Sequence, residues 1–125
     1  MGVQLPVPDA TVREPTEADF PSVNGALAQW WPTVPGGSGV AERTLLVPRL
    51  FLQHFTHGSR LVERDGEVLG FLIGFLSASR RDEGYIHFIA VDPALRKQGL
   101  AQYLYEWFFD YCRAHGRSTG RGWTG

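Results

Sequence analysis

A short stretch that joins an apolar segment to an amphipathic run holds the residues best suited to bind an anion. It reads VDPALRKQGLAQYL, residues 91 to 104, and places Gly99 shortly after Arg96 and Lys97. A helix start presents backbone N–H groups without intrahelical partners and about half a positive charge. A phosphate reaches these groups only past small side chains, here Gly99 and Ala101, and the two cations add charge-assisted bonds. The pattern favours a diphosphate site. The alternative is a glycine that merely relaxes a strand-to-helix turn beside two solvated cations.

Other residues offer little for metal or nucleophile chemistry. His54 and His57 stand three apart in an expected helix, but no third ligand lies at a sensible spacing, so we predict no metal. Cys112 is the only cysteine. A single cysteine excludes an intramolecular disulfide and fits a reducing compartment, and we expect its thiol to be packed and inert.

The composition argues against nucleic acid and membrane partners. Twelve Lys+Arg stand against thirteen Asp+Glu, a net charge of −1, so any anion must be held by a local arrangement of groups. The chain starts without a cationic segment leading into a long apolar one, and no window approaches 18 uncharged apolar residues. We predict a cytoplasmic protein that binds neither nucleic acid nor membrane.

The apolar periodicity predicts the element order β-α-α-β-β-β-α. The expected elements are a strand at 9–14, a helix from Glu17 to about Trp31 behind a capping box at Thr16, a second helix within 49–58, strands at 60–64, 67–77 and 85–91, and a helix from about Gly99 to His115. Asp65-Gly66 favours a type I′ hairpin turn, and Gly116 a helix stop. The Pro- and Gly-rich stretch at 31–42 is a loop, either bordering a binding site or simply connecting helices.

The strand at 67–77 is apolar on both faces and is therefore expected at the centre of the sheet. One face should hold Leu69, Phe71, Ile73 and Phe75, and the other Leu72 and Leu76. Gly70 and Gly74 leave space for a helix or a ligand to come close. The aromatic residues of the first two helices either wall an acceptor site or belong to the core; they are Trp30, Trp31, Phe51 and Phe55.

Residues 85 to 117 read YIHFIAVDPALRKQGLAQYLYEWFFDYCRAHGR: an apolar strand ending in Val-x-Pro, then [Gln/Arg]-x-x-Gly-x-[Gly/Ala], then an amphipathic helix. This segment resembles the acetyl-coenzyme A signature of the GCN5-related N-acetyltransferase (GNAT) superfamily, and the element order before it matches as well, over roughly residues 10 to 117. The resemblance implies an α/β (α+β) fold with a mixed, mostly antiparallel twisted sheet flanked by helices. It also implies acetyl-coenzyme A as co-substrate and a small-molecule or peptide amine as acceptor.

The resemblance also assigns roles to particular backbone groups. The N–H groups of residues 98–101 are implied to bind the coenzyme diphosphate, with Arg96 and Lys97 beside it. The backbone of residues 89–91 would hydrogen-bond the pantetheine arm, and the Ile89 N–H would polarise the thioester carbonyl. The implied coenzyme-binding set is Ile89, Ala90, Val91, Arg96, Lys97, Gln98, Gly99, Leu100 and Ala101.

Direct attack on the thioester needs a neutral amine, and so a group that takes its proton. Tyr85 stands where histone-type members of the superfamily place a glutamate. Glu83 and His87 lie two residues to either side and should share its face of the strand. His87 titrates near neutrality and is our first choice, against the alternative of a packed or solvated histidine.

A complete member of the superfamily continues with a splayed fifth strand, a further helix and a hairpin, whereas four of the last ten residues here are glycine. We expect these later strands to be missing or very short. The expected organisation is an N-terminal tail (1–8), a truncated N-acetyltransferase-like domain (9–117) and a Gly-rich tail (118–125). An unpaired fourth-strand edge predicts a homodimer or larger assembly. The leading hypothesis is an N-acetyltransferase, and the alternative is a coenzyme-binding or structural remnant without turnover.

Overall fold

The computed structural model of the chain describes residues 4–30 and 46–122. The predicted loop at 31–42 and Trp31 lie outside the described residues. Within them the helices and strands follow the predicted order, and a short fifth strand comes after the last helix. The strands are β1 (Thr11–Arg13), β2 (Arg60–Arg64), β3 (Glu67–Leu76), β4 (Glu83–Val91) and β5 (Thr119–Gly122); the helices are α1 (Phe20–Trp30), α2 (Leu50–His54) and α3 (Leu100–Ala114), with 3₁₀ turns at Glu17–Asp19 and Pro93–Gln98.

The sheet has the spatial order β1-β2-β3-β4-β5, so β3 is central as predicted. The first four strands pair antiparallel and β5 pairs parallel to β4. One apolar cluster packs α3 against one face, and a second packs α1 and α2 against the other. The predicted α+β fold, a mostly antiparallel sheet flanked by helices, is confirmed.

Local sequence signals set the ends of several elements. Asp65 and Gly66 both have positive φ, 53° and 80°, which confirms the type I′ turn between β2 and β3. The Asp19 carboxylate accepts the Thr16 N–H at 2.7 Å ahead of α1. After α3, Gly116 has a positive φ of 74°, and the Arg117 N–H donates to the Cys112 carbonyl at 2.8 Å, which closes the C-terminal end of the helix.

Two β-bulges change which residues share a face of the sheet. Between β2 and β3 the register skips Leu69, and between β3 and β4 it skips His87. A bulge shifts the alternation of side chains by one residue. Leu69 therefore packs in the cluster beneath α3 and not with Phe71, so its predicted face is wrong.

The helix α3 lies very close to the sheet because glycines face it. A Cβ at Gly74 would stand 2.5 Å from Phe108 Cε1, and one at Gly84 less than 3.0 Å from Cys112 Sγ. The space predicted at Gly74 is therefore taken by a helix. These contacts hold the second half of α3 against the sheet, and at its start a Cβ at Gly70 would stand 3.2 Å from Leu100 Cδ2.

The folded unit is wider than the predicted 9–117 domain. Val7 is 3% exposed and packs in the cluster beneath α3. At the other end, Thr119–Gly122 form β5 and pair with the first half of β4. Both stretches were predicted to be tails, but Val7 belongs to the core and Thr119–Gly122 belong to the sheet.

Candidate coenzyme and acyl-transfer site

The turn from β4 into α3 is built by three local devices. The Asp92 carboxylate accepts the Ala94 N–H at 2.9 Å, and Pro93 opens a 3₁₀ turn that ends at Gln98. Gly99 follows with φ 82° and ψ 14°, a left-handed conformation that favours glycine, and α3 begins at Leu100. The glycine therefore does relax the turn, which was the alternative explanation for it.

That turn also leaves the start of α3 open to a ligand. Among the described residues, and apart from its chain neighbours, no atom lies within 4 Å of a Cβ placed at Gly99. The first helical hydrogen bond of α3 runs from the Tyr103 N–H to the Gly99 carbonyl, at 3.0 Å. The N–H groups of Leu100 and Ala101 come before it and therefore have no partner within the helix. The conformational and anion-binding explanations of Gly99 are thus compatible.

The backbone of the second half of β4 faces two ways. The Asp92 N–H donates to the Leu69 carbonyl at 2.9 Å, so the backbone N–H of residue 92 points towards β3. Because backbone groups alternate along an antiparallel strand, Ala90 also faces β3, whereas Ile89 and Val91 face the opposite edge. These are the two residues whose backbones were implied to bind pantetheine.

That opposite edge is covered only in part. The parallel pairing of β5 runs from Glu83 to Ile86 on β4. The prediction of an unpaired β4 edge is therefore wrong for residues 83–86, because a glycine-rich segment can still supply backbone partners to a strand. Within the part of the chain that is described, no strand pairs with Ile89 or Val91 on this side.

A cavity of about 350 Å³ lies where this open edge meets the start of α3. Its lining consists of Trp30, Ile89, Ala90, Val91, Arg96 and Ala101. Five of these six residues belong to the implied coenzyme-binding set. Of the remaining four, Lys97, Gln98 and Gly99 lie in the adjacent turn, and the Leu100 side chain is fully buried in the core.

His87 sits in the β4 bulge, where two contacts hold its ring. Its Nε2 lies 2.6 Å from the Leu46 carbonyl oxygen, and the ring stacks on Phe51 with centroids 4.1 Å apart. A carbonyl oxygen only accepts hydrogen bonds, so Nε2 carries the proton and the lone pair of the neutral ring is on Nδ1.

Glu83 and Tyr85 lie farther along β4, towards the turn from β3. Tyr85 is 36% exposed and stacks on Phe75 at 5.5 Å. Both residues line a second cavity of about 500 Å³, together with Phe75, Ser77, Ser79 and Arg80. Phe75 stacks on Phe51, which in turn stacks on His87, so Tyr85 and His87 share one face as predicted.

The remaining candidates have structural surroundings. Cys112 is 2% exposed, and burial raises the pKa of its thiol, as expected of a packed and inert cysteine. Across the described ranges no group of three or more His, Cys, Asp or Glu side chains could hold a metal ion. No helix in those ranges is both long and apolar enough to cross a membrane.

Comparison with known proteins places the chain in a family. The profile of the Acetyltransferase (GNAT) family matches residues 24–120, which is most of the sequence, and the chain belongs to this family. The predicted membership of the GNAT superfamily is thereby confirmed.

Individual relatives are more distant. The L-2,4-diaminobutyric acid acetyltransferase of Vibrio parahaemolyticus is 30% identical over 96 residues, covering 66% of this chain and 53% of the relative. The structure of diaminobutyrate acetyltransferase EctA from Paenibacillus lautus, bound to L-2,4-diaminobutyric acid and coenzyme A, superposes with a TM-score of 0.62 at 20% identity, over 86% of this chain and 60% of that one.

A ribosomal-protein-alanine N-acetyltransferase from Brucella melitensis gives a TM-score of 0.65 at 16% identity, over 93% of this chain and 81% of that one. These structural likenesses establish the fold. The chain spans about half the length of the curated relative it matches.

Proposed function

We propose that the chain is an acyl-coenzyme A-dependent N-acetyltransferase that moves an acetyl group from acetyl-coenzyme A to a primary amine. The observation that carries the proposal is the cavity of about 350 Å³ between the open β4 edge and the start of α3. It joins backbone groups suited to an extended amide chain with a helix start suited to phosphate.

The residues of this chain fit the coenzyme in chemical type. The Leu100 and Ala101 N–H groups and the Arg96 side chain would hold the diphosphate, with Lys97 beside them. Ile89 and Val91 would exchange backbone hydrogen bonds with the pantetheine amides, much as a neighbouring strand would. Gly99 keeps the approach to the helix start free of side-chain atoms.

The proposed reaction is direct transfer. The amine nitrogen forms a bond to the thioester carbon, the carbon–sulfur bond breaks, and the coenzyme leaves as a thiolate. The Ile89 N–H donates to the carbonyl oxygen while negative charge develops there, a contribution of about 3 kcal/mol where comparable donors have been removed.

We assign removal of the amine proton to Nδ1 of His87. His87 lies two residues from Ile89, about 7 Å along the strand, whereas Tyr85 and Glu83 lie about 13 and 20 Å away. The Leu46 contact holds the ring through Nε2 and leaves Nδ1 to accept the proton. Tyr85 and Glu83 would then contact a more remote part of the acceptor.

Thiol release with a panel of amines tests the proposal. Because the Vibrio parahaemolyticus relative is named for L-2,4-diaminobutyric acid, the panel begins with that acid and extends to other diamino acids, polyamines and peptides. Release that requires both acetyl-coenzyme A and an amine supports the proposal. Coenzyme binding without release from any amine favours the alternative, a binding domain without turnover.

The role of His87 has its own variant. In His87→Gln the new side-chain amide can still donate to the Leu46 carbonyl but has no basic nitrogen, so we expect kcat to fall by about 10²-fold or more. His54→Gln, on the exposed side of α2, is the matched control and should leave kcat unchanged. Equal activity of the two variants would remove His87 from the mechanism.

Assembly through the β4 edge, which the sequence predicts, competes with coenzyme binding. Ile89 and Val91 can pair with a second chain or with pantetheine, but not with both. If such a dimer forms, light scattering should detect its dissociation when coenzyme A is added. A dimer whose mass is unaffected by saturating coenzyme A would have to use another surface.

A further inference from the structure

Trp30 is the one residue in the cavity lining that does not belong to the implied coenzyme-binding set. It is the last residue of α1, and its side chain faces the same cavity as Ile89 and Val91 on β4. Arg96 and Ala101, at the start of α3, line that cavity too. A ligand that touches Trp30 there is therefore continuous with the proposed diphosphate site.

The sheet fixes the position of the indole. The Trp30 ring stacks on Phe71 with centroids 6.1 Å apart and planes inclined by 19°. Phe71 is fully buried and pairs with Ala90 in the β3–β4 register. The indole therefore stands at the level of Ala90, between the two residues whose backbone groups face the open edge.

Trp30 also lines a second, smaller cavity of about 140 Å³. That cavity has a polar lining that includes Gln29, Glu67 and Asp92. Trp30 thus lines both a mostly apolar cavity and a polar one.

We propose that Trp30 binds the pantetheine arm of the coenzyme. This inference rests on the proposed function and deepens it. The arm is a flexible chain of methylene and methyl groups broken by two amides, so one side needs backbone partners and the other needs an apolar surface. Ile89 and Val91 supply the first, and the indole supplies the second.

A contact between Trp30 and pantetheine differs from the other functional role considered for this residue, a wall of the acceptor site. An acceptor wall would lie with the ring cluster around His87, whereas Trp30 shares its cavity with the start of α3. Replacement of Trp30 should therefore affect the donor and not the choice of amine.

Calorimetric titration with two ligands tests the proposal. Coenzyme A contains the pantetheine arm, and 3′-phosphoadenosine 5′-diphosphate keeps the diphosphate and lacks the arm. Trp30→Ala should weaken coenzyme A binding by about tenfold or more, the usual effect of removing a central aromatic contact, and leave binding of the fragment unchanged. Trp30→Phe, which keeps a ring on Phe71, should have a smaller effect.

Trp107→Phe is the matched control. Trp107 is on α3, where its ring packs under the Arg60 guanidinium, and it does not belong to the cavity lining. Equal coenzyme A affinity in wild type and Trp30→Ala would overturn the inference and leave the proposed function standing. Equal weakening of both ligands would also overturn it, since that pattern indicates a disturbed fold. Failure of the wild-type chain to bind coenzyme A would overturn the proposed function itself.

Discussion

The close approach of α3 to the sheet predicts a specific energetic coupling between Gly84 and Cys112. A Cβ added at Gly84 would lie less than 3.0 Å from Cys112 Sγ and 3.3 Å from two Phe108 ring atoms. Overpacking of this kind costs about 1–3 kcal/mol, because buried neighbours have little room to move. Gly84→Ala should therefore lower the free energy of unfolding by about 2 kcal/mol.

Removal of the sulfur should relieve most of that cost. Cys112→Ala alone should lose about 1 kcal/mol through the small cavity it leaves. With both changes the new methyl group occupies the place of the sulfur, so the double variant should lose about 1 kcal/mol, well below the sum of the single losses. The contacts with Phe108 keep the rescue incomplete.

Urea unfolding followed by circular dichroism measures all three variants. Gly25→Ala, at a position in α1 with no atom within 4 Å of the new Cβ, is the matched control and should stabilise by about 0.5–1 kcal/mol. Additive losses in the double variant, or a Gly84→Ala variant as stable as wild type, would refute the close packing of α3 against β4.

Two further predictions concern ionisable groups. Asp19 accepts two hydrogen bonds from Arg13, at 2.7 and 2.8 Å, which lower the carboxyl pKa from its ordinary 3.8. The ionised Asp19 carboxylate stabilises the folded state at pH values above its ordinary pKa, and this stabilisation is lost as the pH falls through the lowered pKa. In urea unfolding, Asp19→Asn should therefore lower the free energy of unfolding by about 1 kcal/mol at pH 7, and this loss should shrink below about pH 4. Asp110→Asn, in an exposed pair, should cost less than about 0.5 kcal/mol at either pH, and a loss at Asp19 that does not change with pH would contradict the reasoning. Because burial raises the pKa of Cys112, the folded protein should react with a thiol reagent only as fast as it unfolds; reaction at the rate of a free cysteine would exclude that burial.

The parts of the fold that the sequence predicted depend on local signals. Asp65-Gly66 specifies its turn by φ alone, and the apolar spacing of α3 specifies a helix in any surroundings. β5 had no such signal, since Thr119–Gly122 reads TGRG and becomes a strand through its pairing with β4. The sequence did not reveal the bulge at Leu69 either, because β3 is apolar on both faces and no polar residue marks the change of register.

The candidate site likewise has one part that the sequence predicted and one part that it did not. The turn from Val91 to Ala101 could be predicted because Gly99 and its neighbours carry the chemistry themselves. The place of Trp30 could not, because it depends on how α1 packs over Phe71 in the sheet. Likewise, the sequence made His87 a candidate base, but only the Leu46 contact indicates which of its nitrogens can act.

The central claim is that coenzyme A binds at the start of α3, and a thermal unfolding experiment with two glutamate variants tests it most directly. Gly99 and Gly116 both have positive φ, 82° and 74°, and both face open space, so Gly99→Glu and Gly116→Glu should lose similar stability. They stand at opposite ends of α3, about 25 Å apart. Coenzyme A at about a hundred times its Kd should stabilise wild type and Gly116→Glu by about 2.7 kcal/mol, and Gly99→Glu hardly at all. An equal upward shift in all three proteins would place the coenzyme elsewhere and contradict the account.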